Sequence, residues 1–389
     1  MLVGTVNAGK SSLLNAVLGN QISPTASKPM TATMMTFVHS PTNQNQKSPR
    51  ITIQSLSDGE RDILLDVDAN PAGISEAREF LDEINKNLRD SIFEGDVDEA
   101  ANSELCTNMP FPYMPQTEVD VVLRDCPGTN EDCSDRIRNR WRSYMHAADV
   151  LIVVLDYTQQ GSQAEAELFE TIVAERGHLH GVLVVVNKAD HIGPDLVEYE
   201  ELRAKTCARV QTYSGKEVSK DCVFFVSATK ALIARSIICN SSFKEDNAVF
   251  QENFKWLTPL AINTFSNKFK PKPIVKSFSD LEMTLFDWTG LSAEGILEHT
   301  HWHDFEHALI RSVVYADAMR VKTGCASILA SLHLVSVECK TQITRYRDGV
   351  AKNRVEELQR MHQQFLDFVN GEVSDEVEQH YVSFLFLNQ

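Results

Sequence analysis

The stretch Gly4-Thr-Val-Asn7-Ala8-Gly9-Lys10-Ser11-Ser12 leaves little freedom to whatever surrounds it. It follows a stub of strand, Leu2 and Val3, and opens an apolar helical pattern from Leu13 to Leu18. Glycines at both ends let the backbone curl so that its N–H groups point inward, and the positive end of the following helix adds to that field. The pattern is that of a phosphate-binding loop, with Lys10 neutralising the β- and γ-phosphates and the Ser11 hydroxyl ligating Mg²⁺. Such a loop belongs at the carboxyl edge of an α/β sheet, mostly parallel and with helices on both faces.

At 389 residues the chain has room for two domains, or for one large nucleotide-binding domain with an appendage. A net charge of −17 argues against general, charge-driven binding to nucleic acid or anionic lipid. The 8 cysteines show no C-x-x-C and no metal-type spacing, which reads as reduced thiols and a cytoplasmic setting. No apolar run is long enough to span a bilayer. Only Met1 to Val3 precede the loop, fewer residues than a buried first strand normally has, so the front of the chain reads as truncated or misassigned.

Beyond the loop, Gly19 to Thr33 is rich in turn formers and hydroxyls, the place for a switch that closes over a γ-phosphate. Thr31 is the first candidate to offer its oxygen to Mg²⁺ and the attacking water, and Thr33 the second. Met34 to His39 and Ile51 to Leu56 read as antiparallel strands, and residues 57–118 as an acidic insertion, helix-prone from Asp58 to Glu104. Val119 to Leu123 then runs into Asp125-Cys-Pro-Gly128, a D-x-x-G element in which Asp125 would hold Mg²⁺ through water and the Gly128 amide would sense the γ-phosphate. No glutamine follows Gly128. Arg136, Arg138, Arg140 and Arg142 lie on the next helix and read as a solvated face, with an arginine finger as the sharper alternative.

Two β-branched runs, Val150 to Leu155 and Gly181 to Val186, read as central parallel strands. The second delivers Asn187-Lys188-Ala189-Asp190, where Asp190 can accept from the guanine N1 and exocyclic amine, donors that adenine lacks at those positions. Cys222 to Val226 leads into Ser227-Ala228-Thr229, whose Ala228 amide would meet guanine O6. Past a linker-like Lys268 to Lys276, an apolar stripe from Phe305 to Phe368 predicts a long helix or hairpin that needs partner helices. His299, His301, His303 and His307 beside Trp302 read as surface histidines before they read as a metal site. The domains are therefore expected at 1–300, a nucleotide domain, and 301–389, an incomplete helical bundle.

Taken together, Gly4 to Ser12, Pro29-Met-Thr31, Asp125 to Gly128, Ala148 to Thr158, Asn187 to Asp190 and the late helix resemble the dynamin superfamily, in particular the bacterial dynamin-like branch associated with clamp binding at replication forks. The resemblance implies GTP and GDP with Mg²⁺, and hydrolysis coupled to G-domain dimerisation and movement of a helical bundle. It also implies a protein partner in replication or cell division, or peripheral contact with a membrane surface. Val6-Asn7 stands where eukaryotic dynamins carry Gln-Ser. In the GTPases that this loop resembles, an asparagine at the place of Asn7 supplies an oxygen to a K⁺ ion, so Asn7 joins Thr31 and Lys10 as a catalytic candidate. The loop is also similar to those of tRNA-modification and ribosome-assembly GTPases, and a nucleotide-gated scaffold with little turnover is a further reading.

Overall fold

The computed structural model describes residues 1–25, 34–40, 49–57, 60–94, 104–114, 120–126, 135–190, 192, 196–265, 275–316, 360 and 363. Residues Met1–Val313 form one compact unit and Val314–Gln389 a second, which holds few of the described residues.

The first unit is built on one nine-stranded sheet in the order β4-β3-β5-β2-β6-β1-β7-β8-β9. Its strands are β1 (Leu2–Gly4), β2 (Met34–His39), β3 (Arg50–Ser57), β4 (Glu60–Asp68), β5 (Glu104–Asn108), β6 (Val121–Asp125), β7 (Leu151–Asp156), β8 (Val182–Asn187) and β9 (Val223–Phe225). From β6 to β9 all neighbours are parallel. The short β1 is enough to be paired on both sides, Leu2 lying opposite both Asp125 and Ile152.

Burial on two faces explains the uninterrupted apolar runs. Leu2, Ile152, Val154, Leu183, Val185 and Phe224 point into one core, while Val3, Val153, Leu155, Val184, Val186 and Phe225 point into the other. The first face is covered by α1 (Lys10–Leu18), α2 (Pro71–Glu94), α6 (Ala228–Cys239) and the helices after it. The second face is covered by α3 (Asp135–Ala147), α4 (Gln163–Arg176) and α5 (Leu196–Ser214). The chain after α6 adds α7 (Asn247–Asn253), α8 (Leu257–Phe265), α9 (Phe278–Thr289), α10 (Ala293–His299) and, over 302–313, α11.

The insertion departs from its expected helical character. Glu60–Asp68 is a strand, paired along its length with β3, because Leu65 and Val67 can pack on the core while Arg50 ties down Asp66 at 2.7 Å and Asp68 at 3.0 Å. Among the described residues of the insertion, Pro71–Glu94 is the expected helix, burying Ala77, Leu81 and Leu88. The insertion then returns as β5, which slots between β2 and β3, parallel to the former and antiparallel to the latter. β2 and β3 are therefore not neighbours, although the sequence reads them as a pair.

The first turns of the long apolar stripe are covered within this unit. Trp302, Phe305, Ala308 and Leu309 are buried in the first core, with Phe305 edge-on to Phe224 at 5.8 Å between ring centres. His301 is not a surface residue: it is buried and stacked on Tyr199 with ring centres 3.9 Å apart. Among the described residues no group of three metal-capable side chains converges. The stripe from Ile328 to Phe368 and the stretch Lys268 to Pro273 lie outside the described residues. If α11 is docked as part of the domain core, Phe305→Ala removes a fully buried ring and is expected to destabilise the first unit by about 3–5 kcal/mol, read as a lowered urea midpoint.

Candidate functional site

The carboxyl ends of β1, β6, β7, β8 and β9 lie along one edge of the sheet, where open α/β sheets place their ligands. At the end of β1 the loop is shaped by close approach. A Cβ on Gly4 would lie 2.3 Å from Val154 O, and Gly9 takes φ 89° at the mouth of α1, where a Cβ would lie 2.2 Å from Asn187 Nδ2. Asn7 is exposed and left-handed, φ 61°, the conformation that asparagine tolerates best after glycine. Lys10 is buried, its ammonium donating to Gly4 O and Thr5 O at 3.2 Å each, so a positive charge sits in the cradle of the loop. Ser11 and Ser12 lie in the first turn of α1 and Ala8 is fully buried.

From the end of β6, Asp125 reaches the loop. Its Oδ2 accepts from Ser11 Oγ at 2.6 Å and from Ser23 Oγ at 3.1 Å. Burial pushes its pKa up, and the Ser11 hydrogen bond and the Lys10 charge pull against that. Its Oδ1 is buried with no hydrogen-bond partner among the described residues. A carboxylate half-satisfied beside a serine hydroxyl is a hard-oxygen donor set, and it fits a divalent cation such as Mg²⁺.

The ends of β8 and β9 meet the loop from the other side. Asn187 Nδ2 donates to Ala8 O at 3.0 Å, and its Oδ1 accepts from Ala228 N at 3.0 Å. Lys188 has φ 62° and pairs with Asp156 Oδ2 at 2.7 Å. Asp190 Oδ1 accepts a short hydrogen bond from Ser227 Oγ, and Lys230 Nζ donates to Asp190 O at 2.9 Å. Ser227 is also the N-cap of α6.

Gly4, Asn7, Ala8, Gly9, Lys10, Ser11, Ser12, Asp125, Asn187, Lys188, Asp190, Ser227 and Ala228 are thus brought to one edge. Thr31, Thr33 and Gly128 lie outside the described residues, as do the side chains of Arg136, Arg138 and Arg140. Arg142 lies 3.4 Å from Glu175. The sequence reading passed over Ser23, Asp156 and Lys230. Of these only Asp156 left a signal, a carboxylate closing an otherwise apolar buried strand.

Because Asn187 alone joins Ala8 O to Ala228 N, Asn187→Ala strands two buried backbone groups. It is expected to destabilise the nucleotide-free protein by about 2 kcal/mol or more in chemical denaturation.

Comparison with known proteins places these elements in context. Residues 1–189 match the model of the Dynamin family. The clamp-binding protein CrfC of Escherichia coli (strain K12) is 26% identical over 245 residues, a match covering 52% of this chain and 32% of that protein. The chain thus spans about a third of that relative's length. Among solved structures, an oligomerised bacterial dynamin pair described as sensing and tethering membranes is 14% identical, with a TM-score of 0.37, covering 100% of this chain and 56% of that one. Era, solved with MgGDPNP and a segment of 16S ribosomal RNA, is also 14% identical, with a TM-score of 0.29, covering 58% of this chain and 49% of its own.

Proposed function

Residues 1–189 belong to the dynamin family, and from that premise we propose that this chain binds GTP with Mg²⁺, hydrolyses it, and couples nucleotide state to G-domain dimerisation and movement of a helical bundle. The observation that carries the reading is the Asn187 side chain, which joins the phosphate loop at Ala8 to the Ala228 amide and so gathers phosphate-binding and base-reading elements at one edge.

In this reading Lys10 and the loop amides from Gly4 to Ser12 neutralise the β- and γ-phosphates. Ser11, Asp125 and Thr31 hold Mg²⁺, which offsets charge developing between the β- and γ-phosphates. Thr31 also orients the attacking water, and the Gly128 amide reports the γ-phosphate. Asp190 accepts from guanine N1 and its amine; the Ala228 amide, expected from the sequence to meet O6, instead donates to Asn187 Oδ1. Asn187 ties the two halves together, with Lys188 between them and Asp190. Asn7 supplies an oxygen to a K⁺ ion in place of an arginine finger, since no glutamine follows Gly128. Partners are a second copy of the chain and either a replication or cell-division protein or a membrane surface. Among the described residues no helix is long and apolar enough to cross a membrane, which is compatible with peripheral association from a cytoplasmic position.

Competition against a fluorescent guanine nucleotide tests the base reading. GTP and GDP are expected to compete and ATP is not; Asp190→Asn should weaken GTP and admit xanthosine triphosphate. Equal competition by ATP in the unaltered protein would end the guanine reading. Lys10→Ala is expected to abolish binding, and Thr31→Ala to spare binding while lowering kcat. Turnover that rises steeply with protein concentration supports a dimerising hydrolase, whereas tight GTP binding without turnover would make the protein a nucleotide-gated scaffold. At constant ionic strength, K⁺ is expected to raise GTP hydrolysis severalfold over choline, and Asn7→Ala to be nearly indifferent to the exchange. Identical rates in the two salts would remove the cation.

A further inference from the structure

Lys188 sits between two residues that must keep their aim. Before it, Asn187 reaches Ala8 O and Ala228 N; two positions after it, Asp190 holds its carboxylate against Ser227 Oγ. Yet Lys188 itself is left-handed, φ 62°, a conformation that a side chain with a β-carbon disfavours and that persists only where its surroundings impose it.

Those surroundings include one buried carboxylate. Asp156 ends β7 directly opposite Asn187 in the parallel register, and its side chain is only 2% exposed. Its two oxygens do different work. Oδ1 is fixed to its own chain, accepting from Thr158 N at 2.8 Å and Thr158 Oγ1 at 2.7 Å, while Oδ2 takes the Lys188 ammonium at 2.7 Å. Burial would raise the pKa of Asp156, but the hydrogen bonds from Lys188 and Thr158 outweigh it and hold the group below the ordinary carboxylate range. It is therefore ionised at neutral pH. With Oδ1 anchored, Oδ2 is a fixed point to which the Lys188 side chain, and through it the turn from Asn187 to Asp190, is tethered.

We propose that Asp156 is a specificity-determining positioning residue, which holds Lys188 in its left-handed conformation and thereby keeps Asp190 aimed at the guanine edge. It touches no nucleotide in this account and acts only through Lys188. The inference rests on the guanine reading of this edge.

The test uses the full chain and four proteins: unaltered, Asp156→Asn, Lys188→Gln, and the double variant. Asp156→Asn keeps an oxygen for the Thr158 bonds and removes the charge, and Lys188→Gln breaks the same tether without touching Asp156. Affinities for fluorescent GDP and for its inosine counterpart, which lacks the exocyclic amine, are measured alongside thermal melting without nucleotide. Either single variant is expected to weaken GDP about tenfold, chiefly through faster release. The preference for GDP over the inosine analogue should narrow, because Asp190 loses its aim at the amine. The double variant should be scarcely weaker than either single one, since a tether broken twice is broken once.

A purely structural role would instead lower the melting temperature, add in the double variant and leave the GDP-to-inosine preference unchanged, and that pattern would overturn the proposal. So would single variants that bind like the unaltered protein. Failure of the unaltered protein to bind GDP would bring down the guanine reading itself, whereas normal binding with an unchanged preference in both variants would bring down the Asp156 inference alone.

Discussion

The side-chain amide of Asn187 spends both ends on backbone: its nitrogen donates to Ala8 O in the first loop, and its oxygen accepts from the Ala228 amide at the start of α6. Three segments from opposite parts of the chain therefore share one planar group of fixed length. The fit is close enough that Gly9 has no room for a Cβ beside Asn187 Nδ2. This explains why a glycine is needed there for reasons beyond its φ of 89°. It also sets the separation between the loop after β1 and the ends of β8 and β9 without requiring either loop to be rigid by itself. A bridge made by one buried side chain is specific because its alternatives are poor: breaking it leaves a carbonyl and an amide in a dry place.

Charge is closer to balance at this edge than in the molecule as a whole. The chain carries a net −17, yet the edge sets Lys10, Lys188 and Lys230 beside Asp125, Asp156 and Asp190. Lys188 and Lys230 are each held by an aspartate or by its carbonyl, and Asp125 is held by two hydroxyls. These contacts fix orientation while leaving Asp125 Oδ1 unpartnered among the described residues. Burial raises the pKa of that carboxylate. Structural and ligand-directed charges are thus distinguishable here: the first kind has its partners already, and the second has one conspicuous atom without.

How much of this was legible in the sequence depended on how local the cause was. The loop from Gly4 to Ser12 was readable because phosphate demands glycine and lysine at fixed spacing, and β7 and β8 were readable because burial on both faces demands an apolar run. α2 was readable from the recurrence of Ala77, Leu81 and Leu88. β4 and β5 were not. Their residues are acidic or few, and their strand state depends on neighbours supplied by β3 and β2 rather than on their own propensity. The Asp-Gly pair at 58 and 59, a hairpin signal between two β-prone runs, was the one hint at β4. His301 was misread as exposed because nothing local marks its stacking on Tyr199, more than a hundred residues earlier. Asp156 closes an apolar strand, but its partner Lys188 lies just beyond the end of the next strand and is not marked by anything near Asp156 in sequence.

The same distinction between local and distant causes bears on how the edge is joined to the helices beyond the sheet. α6 is capped by Ser227, which also contacts Asp190, so the N-terminus of the helix lies at the carboxyl edge of the sheet. Two turns on, Arg235 of the same helix is nearly buried, its guanidinium 3.5 Å over the ring of Tyr113 and paired with Glu306 of α11. Phe224, immediately upstream on β9, meets Phe305 of α11. A helix is stiff along its axis, and a buried ion pair that loses one partner leaves an uncompensated charge costing about 3–5 kcal/mol. α6 therefore cannot shift at Ser227 without either breaking the Arg235–Glu306 pair or carrying the start of α11 with it. The contact between Ser227 and Asp190 and the pair that seats the start of α11 belong to one helix.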